Sequence, residues 1–261
     1  MKGRFLIGIV IALFAIGSYF FQSSENPITG ETQRVAMTAE QEIALGARSA
    51  PEMAAQMGGL SRNEDLTRMV KALGARLVEG SVAAKVPYRY SFHVLADPKT
   101  VNAFALPGGP IFITEGLLRL LKTEGEVAGV LGHEIGHVVA RHSAERLAKQ
   151  QLTQGLVTAV MMGSGDYTAT QLAQMVGGMI NMKYGREDEL ESDALGVRIM
   201  AEAGYDPRSM LRVMEVLDQA SSGSRQPEFL SSHPNPGNRL EHIKAEIAKR
   251  FPDGATEGLK R

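Results

Sequence analysis

The chain has 261 residues, 44% of them hydrophobic and 22% charged, with a formal net charge of −1 and no cysteine. That length supports one sizeable core with appendages, and the balanced, scattered charge argues against nucleic acid as a partner. Without cysteine there is no disulfide, thiolate ligand or lipid-bearing thiol, so any metal site must be built from His, Asp or Glu.

In chain order, Lys2 and Arg4 precede an uncharged apolar run from Phe5 to Phe21. The run is long for a signal-peptide core and near the lower limit for a membrane span. It ends Tyr19-Phe20-Phe21-Gln22, with no small-residue cleavage site. Residues 1–21 therefore read as a retained membrane anchor, or alternatively as a cleaved signal peptide. Basic residues before the run favour an N-terminus inside and the bulk of the chain outside. Residues 22–37 read as a polar linker.

Thr38 with Gln41 opens a helix towards Ser49 that resumes after Pro51, and Ser61 with Glu64 opens another with Leu66, Met69, Val70, Leu73 and Leu77 facing inward. Strands are predicted at 89–96, where Tyr90, Phe92 and Val94 alternate with Ser91, His93 and Leu95, and at 101–106 and 111–114. The last two are joined by Pro107-Gly108-Gly109-Pro110 in a hairpin-like connection. A helical stretch runs from Glu124 to Gln150, capped by Thr123 and Glu126. Residues 152–183 are rich in Met and Gly. They read either as a helical hairpin on the core or as an apolar flap for substrate or membrane, and their apolar pieces are too short to span a bilayer. A charged helix follows from Arg186 to about Gly204, and Asp206-Pro207 caps the next, to about Ala220. Residues 221–238 read as loop, 238–250 as a last amphipathic helix and 252–261 as a flexible tail.

The chemistry is concentrated in His133-Glu134-Ile135-Gly136-His137. Histidines four apart on a helix stand about 40° apart around its axis, so both can reach one metal ion. Glu134, about 100° from His133, can handle a proton beside that ion without ligating it. The embedding segment AGVLGHEIGHVVA is apolar on nearly all sides, and two imidazoles and a carboxylate are costly to bury there unless they bind something. A catalytic zinc usually takes three protein ligands. His142 lies nine residues past His133, about 180° round the same predicted helix, so a surface or helix-end role suits it better. In the acidic helix Glu189 and Asp193 share a face. Glu189 is the candidate third ligand, and Asp193 can accept from the other N–H of a ligand histidine; the alternative is a solvated acidic first turn favoured by the helix dipole.

Three separated segments, VNAFALPGGPIFIT, HEIGHVVARH and YGREDELESDALG, resemble the HtpX/BepA-type zinc metallopeptidases, relatives of the Ste-type prenyl-protein protease. The resemblance covers roughly residues 40–250; family members commonly carry Ser at the place of Gly185. It implies a predominantly helical α+β, zincin-like (gluzincin) domain over 38–251, with a small β-sheet beside the HExxH helix. It implies one Zn2+ per chain held by His133, His137 and Glu189, with Glu134 as catalytic carboxylate and Asp193 in support. His233 and Arg239, in a stretch similar to the family's HPxxxxR, are implied as active-site neighbours that polarise the scissile carbonyl or gate the metal. Asn102, Ala103, Phe104 and Ala105 become the candidate edge along which a polypeptide lies, the alternative being an ordinary inner strand. The implied role is an endopeptidase of the bacterial envelope acting on misfolded or unassembled proteins, tethered by a single pass to the inner membrane and facing the periplasm. Secretion to the periplasm, or a chaperone that holds polypeptides with proteolysis minor or gated, is the alternative.

Overall fold

A computed structural model of the chain describes residues 2–164, 184–221, 227–233, 237–254 and 258–261. The described chain divides into two units, residues 39–140 with 185–261, and residues 1–38 with 141–184.

In the first unit, helix α2 (Ala39–Gln56) runs unbroken through Pro51, and α3 (Glu64–Glu79) is capped by Asn63, whose side chain accepts from Leu66 N–H. The expected cap, Ser61, instead donates to Glu115 at 2.6 Å. Strands β3 (Ser91–Leu95), β4 (Ala103–Ala105) and β5 (Pro110–Thr114) form a sheet of order β3-β5-β4. β3 runs parallel to β5 with Phe92 opposite Ile111, and β4 antiparallel with Phe104 opposite Phe112. The β4–β5 turn needs Gly108 and Gly109 at φ of 74° and 128°; a side chain on Gly108 would also strike the Ile43 backbone at 2.4 Å. Leu95 and Phe112 of the sheet cluster with Leu106 and with Ala54 of α2, and Met53 of α2 and Met57 just past its end pack against them. Helix α3 lies along β3 and against α5 (Glu124–Val139), contributing the fully buried Val70, Leu73 and Leu77.

One sequence expectation is corrected at α5. The helix does not continue to Gln150: it stops at Val139, and Arg141 turns the chain at φ 60° before α6 (His142–Ser164) begins. Short helix α4 (Glu115–Leu118) precedes α5, and α7 (Arg186–Glu202), α8 (Ser209–Ser221), α9 (Glu228–Ser232) and α10 (Arg239–Arg250) follow in the same unit. Thus part of the expected 221–238 loop is helical. Nor is the end of the chain a loose tail, because Lys260 exchanges backbone hydrogen bonds with Gly204 and Asp206, and Arg261 reaches the Asp206 carboxylate at 3.0 Å.

In the second unit, α1 (Lys2–Phe21) lies along α6. The stretch expected as a linker contains an antiparallel pair, β1 (Ser23–Glu25) and β2 (Thr32–Arg34). Asn26 organises its turn, accepting from Ile28 and Thr29 N–H and donating to Gln33. Residues 141–184 group with the N-terminal region in this unit. Of the Met- and Gly-rich segment, residues 152–164 continue α6 and 165–183 lie outside the described residues.

Candidate metal centre

Helices α5 and α7 cross at unusually short range, and glycine makes this possible. A Cβ on Gly136 would lie 2.8 Å from the carbonyl and hydroxyl oxygens of Ser192, and one on Gly196 would lie 3.2 Å from the His133 nitrogen. Ser192 uses the proximity to donate its hydroxyl to the His133 carbonyl at 2.5 Å. The crossing carries the first turn of α7 to the two histidines of α5. There His133 Nε2 lies 3.4 Å from Glu189 Oε2 and His137 Nε2 lies 3.5 Å from Glu189 Oε1.

A third imidazole joins them. Helix α9 ends at His233, whose ring stacks on Phe229 with centroids 4.4 Å apart. Its Nδ1 lies 3.0 Å from Glu189 Oε1, 3.3 Å from His133 Nε2 and 3.2 Å from His137 Nε2. The donor atoms of His133, His137, Glu189 and His233 all fall within 4.8 Å of one another, and all four residues are buried.

Behind the cluster, His133 Nδ1 is 2.9 Å from Asp193 Oδ1. Arg239, only 2% exposed, donates Nε and one terminal nitrogen to the two Asp193 oxygens at 2.7 Å each and sets the other 3.0 Å from Glu189 Oε2. This fork holds Asp193 against His133 and fixes the proton on Nδ1, so that Nε2 presents its lone pair to the cluster. Burial alone would raise the Asp193 and Glu189 carboxyls. Arg239 and His133 hold Asp193 below its ordinary value, and His233 with the other imidazoles holds Glu189 far below. Those carboxylates in turn outweigh burial at His133 and push it up to about 9. Glu134 is different. It is fully buried, its oxygens accept no hydrogen bond among the described residues, and Oε1 lies 3.6 Å from His233 Nε2. Burial pushes its carboxyl up.

These residues fit a metal ion on two counts. With the imidazoles neutral and the carboxyls ionised, as metal ligation requires, Glu134, Glu189 and Asp193 face a single guanidinium, and a divalent cation balances the two buried negative charges that remain. A tetrahedral ion with donor bonds of roughly 2.0–2.1 Å separates its donors by roughly 3.4 Å. The separations here run from 3.0 to 3.5 Å.

The structure thus brings together His133, Glu134, His137, Glu189, Asp193, His233 and Arg239. His142 lies outside the cluster, buried at the start of α6 beside Tyr184. Asn102 precedes β4, while Ala103, Phe104 and Ala105 form it, at an edge of the sheet and against α5. Asn102 C=O and Leu106 N–H bond to β5, so by alternation the backbone groups of Ala103 and Ala105 point away from it. Phe229 N–H donates to Val101 C=O just before that edge. Sequence reasoning did not single out Phe229 or Ser192, nor the glycines of the crossing. The repeat Gly132-x3-Gly136 inside the motif helix was the available signal for the last.

A sheet laid against a two-histidine helix, with an acidic helix crossing behind it, defines a metallopeptidase of the HExxH kind. The model of Peptidase family M48 matches residues 61–247, and the chain belongs to that family. It is 32% identical over 238 residues to the beta-barrel assembly-enhancing protease of Yersinia pestis, covering 87% of this chain and 48% of that protein. The counterpart in Escherichia coli K12 is 29% identical over 261 residues, covering 95% and 53%. The mitochondrial metalloendopeptidase OMA1 of Arabidopsis thaliana is 37% identical over 154 residues, covering 59% and 30%. The chain spans about half the length of the first two relatives, and less of the third.

Proposed function

We propose that the chain is a zinc-dependent endopeptidase of the bacterial envelope that cleaves misfolded or unassembled proteins. The observation that carries the reading is the convergence of imidazole and carboxylate donors beside Glu134, whose carboxylate oxygens accept no hydrogen bond among the described residues. His133, His137 and Glu189 would hold the ion. When bound, zinc supplies Lewis acidity, polarising a peptide carbonyl and making a water molecule acidic. Glu134 accepts the proton of the attacking water, for which its raised carboxyl pKa suits it, and passes that proton to the departing amine. Asp193 and Arg239 act through His133, keeping its Nε2 lone pair directed at the ion. Between the two readings of Arg239, the fork on Asp193 and Glu189 favours holding ligands over polarising a carbonyl.

His233 Nδ1 lies 3.3 Å from His133 Nε2 and 3.2 Å from His137 Nε2, so it would compete with water or substrate for an ion held by the other three residues. We read it as a gate: the His233 imidazole withdraws when a substrate enters. An extended polypeptide would then pair with Ala103 and Ala105 at the β4 edge. The envelope setting and the class of substrate rest on the likeness to the two assembly-enhancing proteases, whose names describe a role in β-barrel assembly. The closed site also favours a second reading, a factor that holds polypeptides with proteolysis gated.

The test is Glu134→Gln. Cleavage of an unfolded reporter such as reduced casein should fall by about 10²–10⁴-fold, while zinc content by elemental analysis stays at the wild-type value. Undiminished cleavage refutes the role of Glu134. Full rescue of a deletion phenotype by Glu134→Gln would favour the holding function.

A further inference from the structure

Helix α1 carries a candidate membrane span of 19 residues, Gly3–Phe21, charged only at Arg4, about 28 Å long and close to the thickness of a bilayer's hydrocarbon core. In its own unit it is paired with α6 in antiparallel register. A Cβ on Gly8 would lie 2.7 Å from the Ala159 carbonyl oxygen and 2.9 Å from Gly163 Cα, and one on Gly155 would lie 2.6 Å from the Ala15 Cβ. Gly155, Ala159 and Gly163 recur every four residues along this seam, the spacing that lets helices meet backbone to backbone in lipid. Residues packed side by side share a depth. If α1 crosses a membrane, the second half of α6 lies within the same slab.

The composition of that half agrees independently. No charged residue occurs between Lys149 and the end of α6 at Ser164. Thr153 and Thr158 donate their hydroxyls back to the carbonyls of Lys149 and Gln154, at 2.9 and 2.8 Å, as a helix without water requires. Among the described residues, every large exposed hydrophobic side chain except Leu60 lies on α1 or on α6, where they are Leu156, Val160, Met161 and Met162. At the other end of the pair, Arg34 lies over the rings of Tyr19 and Phe20, a cationic and aromatic group suited to a headgroup layer.

We propose that α1 and residues 152–163 of α6 form an intramembrane helical hairpin, with lipid acyl chains covering Leu156, Val160, Met161 and Met162. The inference goes beyond a single-pass anchor and rests on α1 remaining attached. Removal of α1 would strip the partner from the buried Ala159.

The natural absence of cysteine makes the test clean. Full-length Val160→Cys, Met161→Cys and, as a control on the same helix, Lys149→Cys are labelled with an environment-sensitive fluorophore. They are then reconstituted into phosphatidylcholine vesicles with or without nitroxide-labelled acyl chains. Intact mass reports the N-terminus of protein isolated from cell membranes, and casein cleavage checks that each variant is folded. The proposal expects a retained N-terminus, emission at 160 and 161 quenched several-fold by the nitroxide lipid, and little quenching at 149. Equal quenching at all three positions, or none at 160 and 161 whether water or protein covers them, overturns the hairpin while leaving the anchor and the peptidase reading intact. A mature N-terminus beyond Phe21 overturns both hairpin and anchor.

Discussion

Arg239 shows how much of the site depends on a residue that braces its carboxylates. Its guanidinium is a permanently charged partner for both Asp193 and Glu189, which are fully buried. Arg239→Ala leaves two buried carboxylates without their guanidinium, which should cost about 3–5 kcal/mol. Urea unfolding of the metal-loaded protein measures this. Arg239→Lys should recover only part of the loss, because an ammonium cannot reproduce the two-point fork on Asp193. His233 makes the opposite prediction. If it gates the site, His233→Ala retains the metal on the remaining three ligands and raises kcat/KM for a short unstructured peptide. A fall in kcat/KM with metal content unchanged would instead assign His233 to polarising the carbonyl.

At the scale of elements, the site is the product of one helix crossing. Gly136 sits inside the metal-binding motif, yet its role is to let α7 approach α5. Gly136→Ala puts a methyl group 2.8 Å from Ser192 backbone and side-chain oxygens. Neither helix can yield without moving a ligand, so the strain should be about 1–3 kcal/mol, the ordinary cost of overpacking. Differential scanning calorimetry should register it as a lower Tm. Zinc titration should register a weaker affinity, since Glu189 moves away from the histidines. The break at Arg141 matters in the same way. It ends α5 just after His137, so the chain that follows starts a new helix rather than extending the metal-binding one.

For the whole molecule, the excess of negative charge at the centre of the first unit couples metal binding to stability. Chelation by EDTA should lower Tm, zinc should restore it, and the shift should grow with the logarithm of free zinc as linkage requires. A Tm indifferent to zinc would mean that the excess charge is neutralised by protons alone. The sequence by itself determined the helix carrying His133, Glu134 and His137, the strand alternation, and the apolar N-terminal run, because each is written in a local period of side chains. It also marked Glu189 and Asp193 as one face of a helix. Only the tertiary structure decided that this face meets the two histidines, that Arg239 and His233 arrive from helices some hundred residues away in the chain, and that Arg261 is pinned rather than loose. It likewise revealed the pairing of α1 with α6. Those outcomes depend on close approach between segments distant in sequence, and a periodic pattern of side chains carries no information about which distant surface will complete it.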